Sequence, residues 1–301
     1  MASLSPRPYS GAADLRRMQA LVAASFGQTH LRVGDIAWAA RDYTHWQLAV
    51  QIRLWETRNG ELAGWTWVQS NGWLEPMFLE QSHRSVRLLD EMLDHFEETV
   101  AGMRAAGDPL ARSFVPIHHQ DEMLRVALVE RGFEVADWSL DILTQTLDKK
   151  PEATSLPEGY GLTSVTDEPS FFGRVEAQRA AFGPWSFTAE KLQRLTATWP
   201  YRPALDRLVV DAEGTVVALC TAWIDEQNRA GLLEPVGTHP EHQRKGLGRA
   251  VCFDALGALY DAGARSAQVL CMAGSGACRV YAAVGFEKTG SVAIYAKQAV
   301  P

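Results

Sequence analysis

The chain repeats itself once, and that repeat limits what it can fold into more than any other feature. Gly60, Trp67 and Glu75-Pro76 recur in the same order as Gly214, Trp223 and Glu234-Pro235, and Gly132-Phe133-Glu134 recurs as Gly285-Phe286-Glu287. The copies lie about 155 residues apart. Four landmarks in one order imply a duplicated domain, and 301 residues suit two domains of ordinary size. The seam is expected where composition changes. Residues 148–161 hold Pro151, Pro157, Gly159, Gly161, several charges and little apolar periodicity, which is linker chemistry. The expected organisation is a first domain over 1–148, a linker over 149–160 and a second domain over 161–301.

Two packed cores are affordable, since 47% of the residues are hydrophobic and 22% charged. The formal charge of −7 argues against a nucleic-acid coat or an anionic membrane surface as partner. No uninterrupted apolar run reaches the roughly 20 residues of a bilayer span. Met18 to Phe26, behind Arg16-Arg17, is short, contains Gln19 and suits an amphipathic helix better than a signal peptide. Cys220, Cys252, Cys271 and Cys278 form no CxxC pair and have no histidine at metal spacing, so neither a disulfide framework nor a zinc site is signalled. A cytoplasmic protein is expected, monomeric or homodimeric.

In the second half, apolar spacing predicts helices over 171–182 and 188–199, the latter with Thr188 as N-cap. Strands are expected over 207–210, 215–224, 231–238, 268–272 and 292–296, with helices over 243–260 and 277–284 between the later ones. Hairpins first and strand–helix–strand units later give an α/β fold with a mixed sheet.

The most informative stretch runs from Val236 to Ala250. A strand ends near Thr238, Pro240 blocks its continuation, and Gln243-Arg244-Lys245-Gly246-Leu247-Gly248 leads into a helix. Glycines let main-chain N–H groups converge on a ligand, and the first helical turn leaves its amides unpaired at the positive end of the dipole. Arg244, Lys245 and Arg249 add three cations on an acidic chain. Together these make a diphosphate seat. A P-loop needs GxxxxGK[ST], which is absent, and the third glycine of a dinucleotide fingerprint is replaced by Val251. The plainer alternative is a helix start with solvated basic residues.

Gln-x-x-Gly-x-Gly after a strand and a Thr-x-Pro step, followed by Tyr281-x-x-x-Gly285-Phe286, resembles the GCN5-related N-acetyltransferase (GNAT) superfamily. The resemblance covers 160–300 and, more weakly, 1–148. The tandem layout is similar to double-domain actinobacterial acetyltransferases such as the mycothiol synthases. It implies two GNAT-like domains, each a mixed, mostly antiparallel sheet flanked by helices. It implies acetyl-CoA, with its diphosphate on the amides of Gln243 to Gly248 and its pantetheine against a splayed strand through Val236 and Thr238. It also implies an oxyanion donor in the amide near Thr238, and Tyr281 as the acid that protonates the departing thiolate.

Acetyl transfer also needs a base for the amine. Glu234 is the candidate, since 234, 236 and 238 share a face under two-residue alternation; Glu75 at the matching place leaves a structural role open, and His239 and Asp225 are weaker choices. Relatives often carry an asparagine where Gly274 stands, and Ser275 is the available substitute for that hydrogen bond. Phe182, Trp185, Phe187 and Tyr201 suit the mouth of an acceptor pocket, or else core.

The first half lacks this equipment. Arg84, Ser85 and Val86 stand where the glycines would map, Glu80 would oppose a diphosphate, and Leu128 replaces the tyrosine. It is expected to keep the fold without binding the carrier. His118, His119 and Asp121 invite a metal reading, but a loop or helix-start role fits better, and no metal site is expected. The leading function is an acetyl-CoA-dependent N-acetyltransferase for a small-molecule primary amine, with its site in the second domain. The rival is a non-catalytic acyl-CoA-binding sensor or scaffold. A nucleotide-dependent oxidoreductase would bind NAD instead.

Overall fold

The computed structural model describes residues 4–78, 84–107, 112–152, 154–184 and 187–298. The chain divides into two compact units. The first comprises 1–31, 43–141 and 290–301, and the second 32–42 and 142–289.

In order, the elements are β1 (Ser5–Pro8), α1 (Ala12–Ala24), α2 (Val33–Ala40), α3 (His45–Gln51), β2 (Ile52–Glu56), β3 (Leu62–Val68), β4 (Leu74–Phe78), α4 (Val86–Ala105), β5 (Arg112–His118), α5 (Glu122–Glu130) and β6 (Glu134–Thr146). There follow β7 (Gly161–Ser164), α6 (Glu168–Phe182), α7 (Ala189–Thr196), β8 (Asp206–Val210), β9 (Val216–Asp225), β10 (Ala230–Thr238), α8 (Leu247–Asp261), β11 (Ser266–Met272), α9 (Gly276–Val284) and β12 (Glu287–Gln298).

This division differs from the sequence expectation in two ways. Unit 2 takes α2 from within the first half, and the last strand crosses from unit 2 to unit 1 at Gly290, where Val292–Gln298 pairs antiparallel with β5. The expected linker is not a free spacer either. Leu156 and Tyr160 pack against the core of unit 2, and Lys150 pairs with Asp261. Strand exchange and helix donation are long-range contacts that leave no local signature in the linker's proline and glycine content.

The repeat survives as matching local geometry. Gly60 and Gly214 both lie in the left-handed region and close the same turn, donating to Thr57 O and Asp211 O. Gly132 and Gly285 likewise both end helices with positive φ, and the phenylalanine after each donates back to Leu128 O or Tyr281 O. Glycine is required at such positions because a Cβ disfavours that backbone region.

In unit 1, β1 to β4 form an antiparallel sheet in sequence order. The helix α4 buries Leu88, Leu89, Met92, Leu93, Phe96 and Val100, the three- and four-residue spacing of an amphipathic face. In unit 2 the strands run β11-β10-β9-β8-β7, with β10 and β11 parallel and the other neighbours antiparallel. The strand β9 is buried along its whole length, as its continuous apolar run dictates for a strand covered on both faces. From α8, Leu247, Val251, Ala255, Leu256 and Leu259 fill the main core. The donated α2 packs near Trp223: an ideal Cβ on Gly34 would fall 2.3 Å from Trp223 Cγ, so only glycine fits there. No helix among the described residues is long and apolar enough to cross a membrane.

Expected helix and strand positions in the second half match, with shifted ends. The helix from Thr188 stops at Thr196 rather than Trp199; the cap is as expected, Thr188 accepting from Lys191 N. Residues 243–246 lie ahead of α8 as a loop. Cys271 and Cys278 are joined by a disulfide, contrary to the expectation of none: the β11–turn–α9 geometry brings their Cα atoms to 5.7 Å across a sequence separation of 7.

Candidate active site

Where β10 leaves its neighbour, the site begins. Its parallel pairing with β11 covers only Ala230↔Ser266 to Leu232↔Gln268, while β10 continues to Thr238. Among the described residues, Leu233 and Val236–Thr238 therefore pair on one side only, against β9. The departure coincides with a register shift between Leu233 and Val236 and a cis Glu234-Pro235 peptide. Proline supplies no N–H to a ladder, and Trp223 Nε1 donates to Glu234 O at 2.6 Å. This shift interrupts the alternation that would put Glu234 on one face with Val236 and Thr238.

Beyond the shift the ladder is regular, with Val236↔Cys220, Gly237↔Leu219 and Thr238↔Ala218. His239 N donates to Val217 O at 2.8 Å. Antiparallel N–H groups point alternately toward and away from the partner strand. The amides of Val236 and Thr238 thus point away from β9, to the side that β11 has vacated. Gly237 is needed beside them: a Cβ there would lie 2.7 Å from Phe182 Cε2 and 2.9 Å from Ala181 Cβ. Phe182, 50% exposed at the end of α6, consequently lies over the free strand.

The turn into α8 follows. Pro240–His242 makes one 3-10 turn, and Gln243 Nε2 donates to Thr238 O at 3.3 Å. Arg244 has φ +63° and Gly246 φ +81°, two left-handed residues close together. Gly246 is the N-cap of α8, and no side chain caps the helix there. A Cβ on Gly246 would meet nothing within 4 Å, so the space beside these amides is open. One on Gly248 would come 3.2 Å from Thr238 Oγ1, where the first turn packs on the end of β10. Arg244, Lys245 and Arg249 are exposed around this turn, whereas Leu247 turns its side chain into the core and offers only its backbone.

Tyr281 is 7% exposed on α9 and meets Phe286 edge-to-face at 6.0 Å. Burial, and then the nearby Cys252, Cys220 and Glu234, push its phenol well above the ordinary tyrosine range. It therefore holds its proton, the form that an acid requires. Ser275 is the N-cap of α9, its Oγ accepting from Cys278 N at 3.5 Å.

Other expectations fare differently. Phe187 is wholly buried in a cluster with Ala37, Trp223 and Leu232, a core residue and not a pocket mouth. Tyr201 donates to Asp206 Oδ2 at 3.1 Å, which ties it to the buried Arg174–Asp206 pair and turns its hydroxyl inward. Burial first, then that carboxylate, raises its phenol far above normal. Trp185 and Glu80 lie outside the described residues. Asp225 accepts from Asn228 N and Nδ2 and serves its hairpin turn, and His239 Nδ1 accepts from Glu241 N. Asp121 caps α5 by accepting from Leu124 N at 3.1 Å and pairs with Arg84, the helix-start role. Among the described residues, no three His, Cys, Asp or Glu side chains gather as a metal site would need. Sequence reasoning missed the bond from Trp223 to Glu234 O and the contact of Lys245 with Tyr160, both of which depend on residues distant along the chain.

Residues 174–286 match the acetyltransferase (GNAT) family. The chain carries a GNAT domain. No curated protein matches it in sequence. Solved structures share its fold over nearly its whole length. The GCN5-related N-acetyltransferase from Sphaerobacter thermophilus superposes with a TM-score of 0.70 at 20% identity, covering 99% of this chain and 96% of that one. A tandem GNAT protein from the clavulanic acid biosynthesis pathway gives 0.64 at 15%, covering 99% of both. Saccharomyces cerevisiae N-myristoyltransferase, with bound myristoyl-CoA, gives 0.63 at 11%, covering 98% of this chain and 78% of that one. At these identities the likeness shows the fold alone, a mixed α/β architecture shared with tandem GNAT proteins.

Proposed function

We propose that this protein transfers an acetyl group from acetyl-CoA to the primary amine of a small molecule, at a site in its second GNAT domain. The observation that carries this reading is the pairing of a half-open strand with an uncapped helix start. The Val236 and Thr238 amides point to the side of β10 that β11 leaves unpaired, and the first turn of α8, which has no side-chain cap, packs on the end of that strand, Gly248 beside Thr238.

The residues present fit the carrier. Open space beside Gly246, positive φ at Arg244 and Gly246, and three cations suit a diphosphate that accepts from main-chain N–H groups. Gln243 to Arg249 would hold it, and the Val236 and Thr238 amides would align the pantetheine arm in place of the missing strand. Bound acetyl-CoA supplies an acyl group activated as a thioester. The Thr238 amide supplies a fixed dipole for the carbonyl oxygen as negative charge develops there. Glu234 takes the proton that the amine must lose, directly or through water. Tyr281, held protonated, gives its proton to the leaving sulfur. Ser275 Oγ stands near the turn at Gly274, and Phe182 flanks the free strand as an acceptor contact.

Thiol release from acetyl-CoA across a panel of small amines tests the proposal. Turnover on at least one amine, abolished by Tyr281→Phe, is the expected result. Binding without turnover on any amine, indifferent to that substitution, would instead identify a sensor or scaffold.

A further inference from the structure

Lys245 lies in the turn that opens α8, and its ammonium donates to the Tyr160 hydroxyl at 3.0 Å. The same hydroxyl lies 3.0 Å from His242 Nδ1. An ammonium group can only donate, so the phenol oxygen accepts from it while the same hydroxyl shares a second hydrogen bond with Nδ1. The three side chains form one hydrogen-bonded chain, Lys245–Tyr160–His242.

The chain is braced. Tyr160 packs against the main core of unit 2, and its ring meets His242 edge-to-face at 5.8 Å. His242 ends the 3-10 turn between β10 and α8, and its ring lies 5.5 Å from that of His239. Its members are a phenol, an imidazole and an ammonium. No carboxylate takes part, so the arrangement fixes the lysine's charge without neutralising it. An exposed lysine otherwise samples many rotamers, and a lone surface hydrogen bond returns little against that freedom.

We infer that Tyr160 is a positioning residue, which through its hydroxyl aims the Lys245 ammonium at a phosphate of the acyl carrier. The inference rests on the acetyl-CoA reading of this site. Its effect falls on affinity and not on the chemical step: ordering one long side chain on binding weakens association about 2- to 10-fold, and Tyr160 removes that loss beforehand. The carrier offers a diphosphate and a ribose phosphomonoester, which present the same chemistry to an ammonium group.

Calorimetry with CoA and with dephospho-CoA, on the unmodified chain, Tyr160→Phe, Lys245→Met and the double variant, tests it alongside steady-state kinetics. Tyr160→Phe is expected to weaken CoA about 2- to 10-fold and to raise KM for acetyl-CoA in proportion, with kcat unchanged. It should add nothing in the Lys245→Met background. Equal losses with both ligands assign Lys245 to the diphosphate, and a loss confined to CoA assigns it to the ribose phosphate. His242→Leu, which removes the hydroxyl's second partner, should act in the same direction and serves if Tyr160→Phe melts early. Unchanged affinity in both variants, a loss that persists in full without Lys245, or a fall in kcat alone overturns the inference while leaving the site intact. An unmodified chain that binds neither ligand overturns the reading of the site and the inference together.

Discussion

The two units each start a long helix after the strand bearing a Glu-Pro pair, and they treat that start in opposite ways. In unit 2, α8 begins at a left-handed glycine with no side-chain cap and open space beside it. In unit 1, α4 begins at Ser85, whose Oγ accepts from Leu88 N, and the neighbouring Arg84 is paired with Asp121. The strands before them differ too. Glu75-Pro76 sits in unbroken register, Trp67↔Glu75 and Thr66↔Pro76, whereas Glu234-Pro235 is cis and accompanies a register shift. One helix start has a first-turn donor satisfied by a side chain and gains stability. The other has no side-chain cap, an arrangement that becomes favourable when an anion arrives.

The largest effect should come from the tyrosine and its counterpart. Tyr281→Phe is expected to lower kcat by about 10²- to 10⁴-fold with little change in melting temperature. Leu128→Ala, at the matching place in unit 1, should instead cost about 2–5 kcal/mol of stability in denaturant titrations, since Leu128 is wholly buried. A large kinetic effect from the second without lost stability would break the contrast.

Next, Gly246→Val forces a β-branched residue into φ +81° beside the amide seat. Calorimetry should show CoA affinity reduced at least about tenfold, while far-UV circular dichroism stays native. Ser85→Ala, its counterpart, should destabilise unit 1 by about 1 kcal/mol and leave CoA affinity unchanged.

The smallest effect concerns pH. His95, on α4, is held down to about 4 by burial and then by Arg53, so the folded chain favours its neutral ring. Its contribution is complete above the unfolded value near 6.5 and is lost as pH falls from there towards 4. Stability measured across that window should decline, and His95→Gln should flatten the decline. Asp14, held low despite its burial by hydrogen bonds from Arg7 and Ser10, loses its contribution only below the ordinary carboxylate range, so the two windows separate.

Much of this was legible along the chain because it is local. The duplicated turns at Gly60 and Gly214 need glycine wherever they occur, and the Gln-x-x-Gly-x-Gly spacing builds its own helix start whatever surrounds it. Thr188 caps from within three residues. Only the tertiary structure decided the rest. It gave α2 to unit 2 and the end of β12 to unit 1, broke the register at Leu233, closed the Cys271–Cys278 bond, buried Phe187, and set Tyr160 beneath Lys245. Each of these depends on which surfaces meet across long stretches of sequence. Short-range periodicity records which residues avoid water, but not which partner they meet when they do.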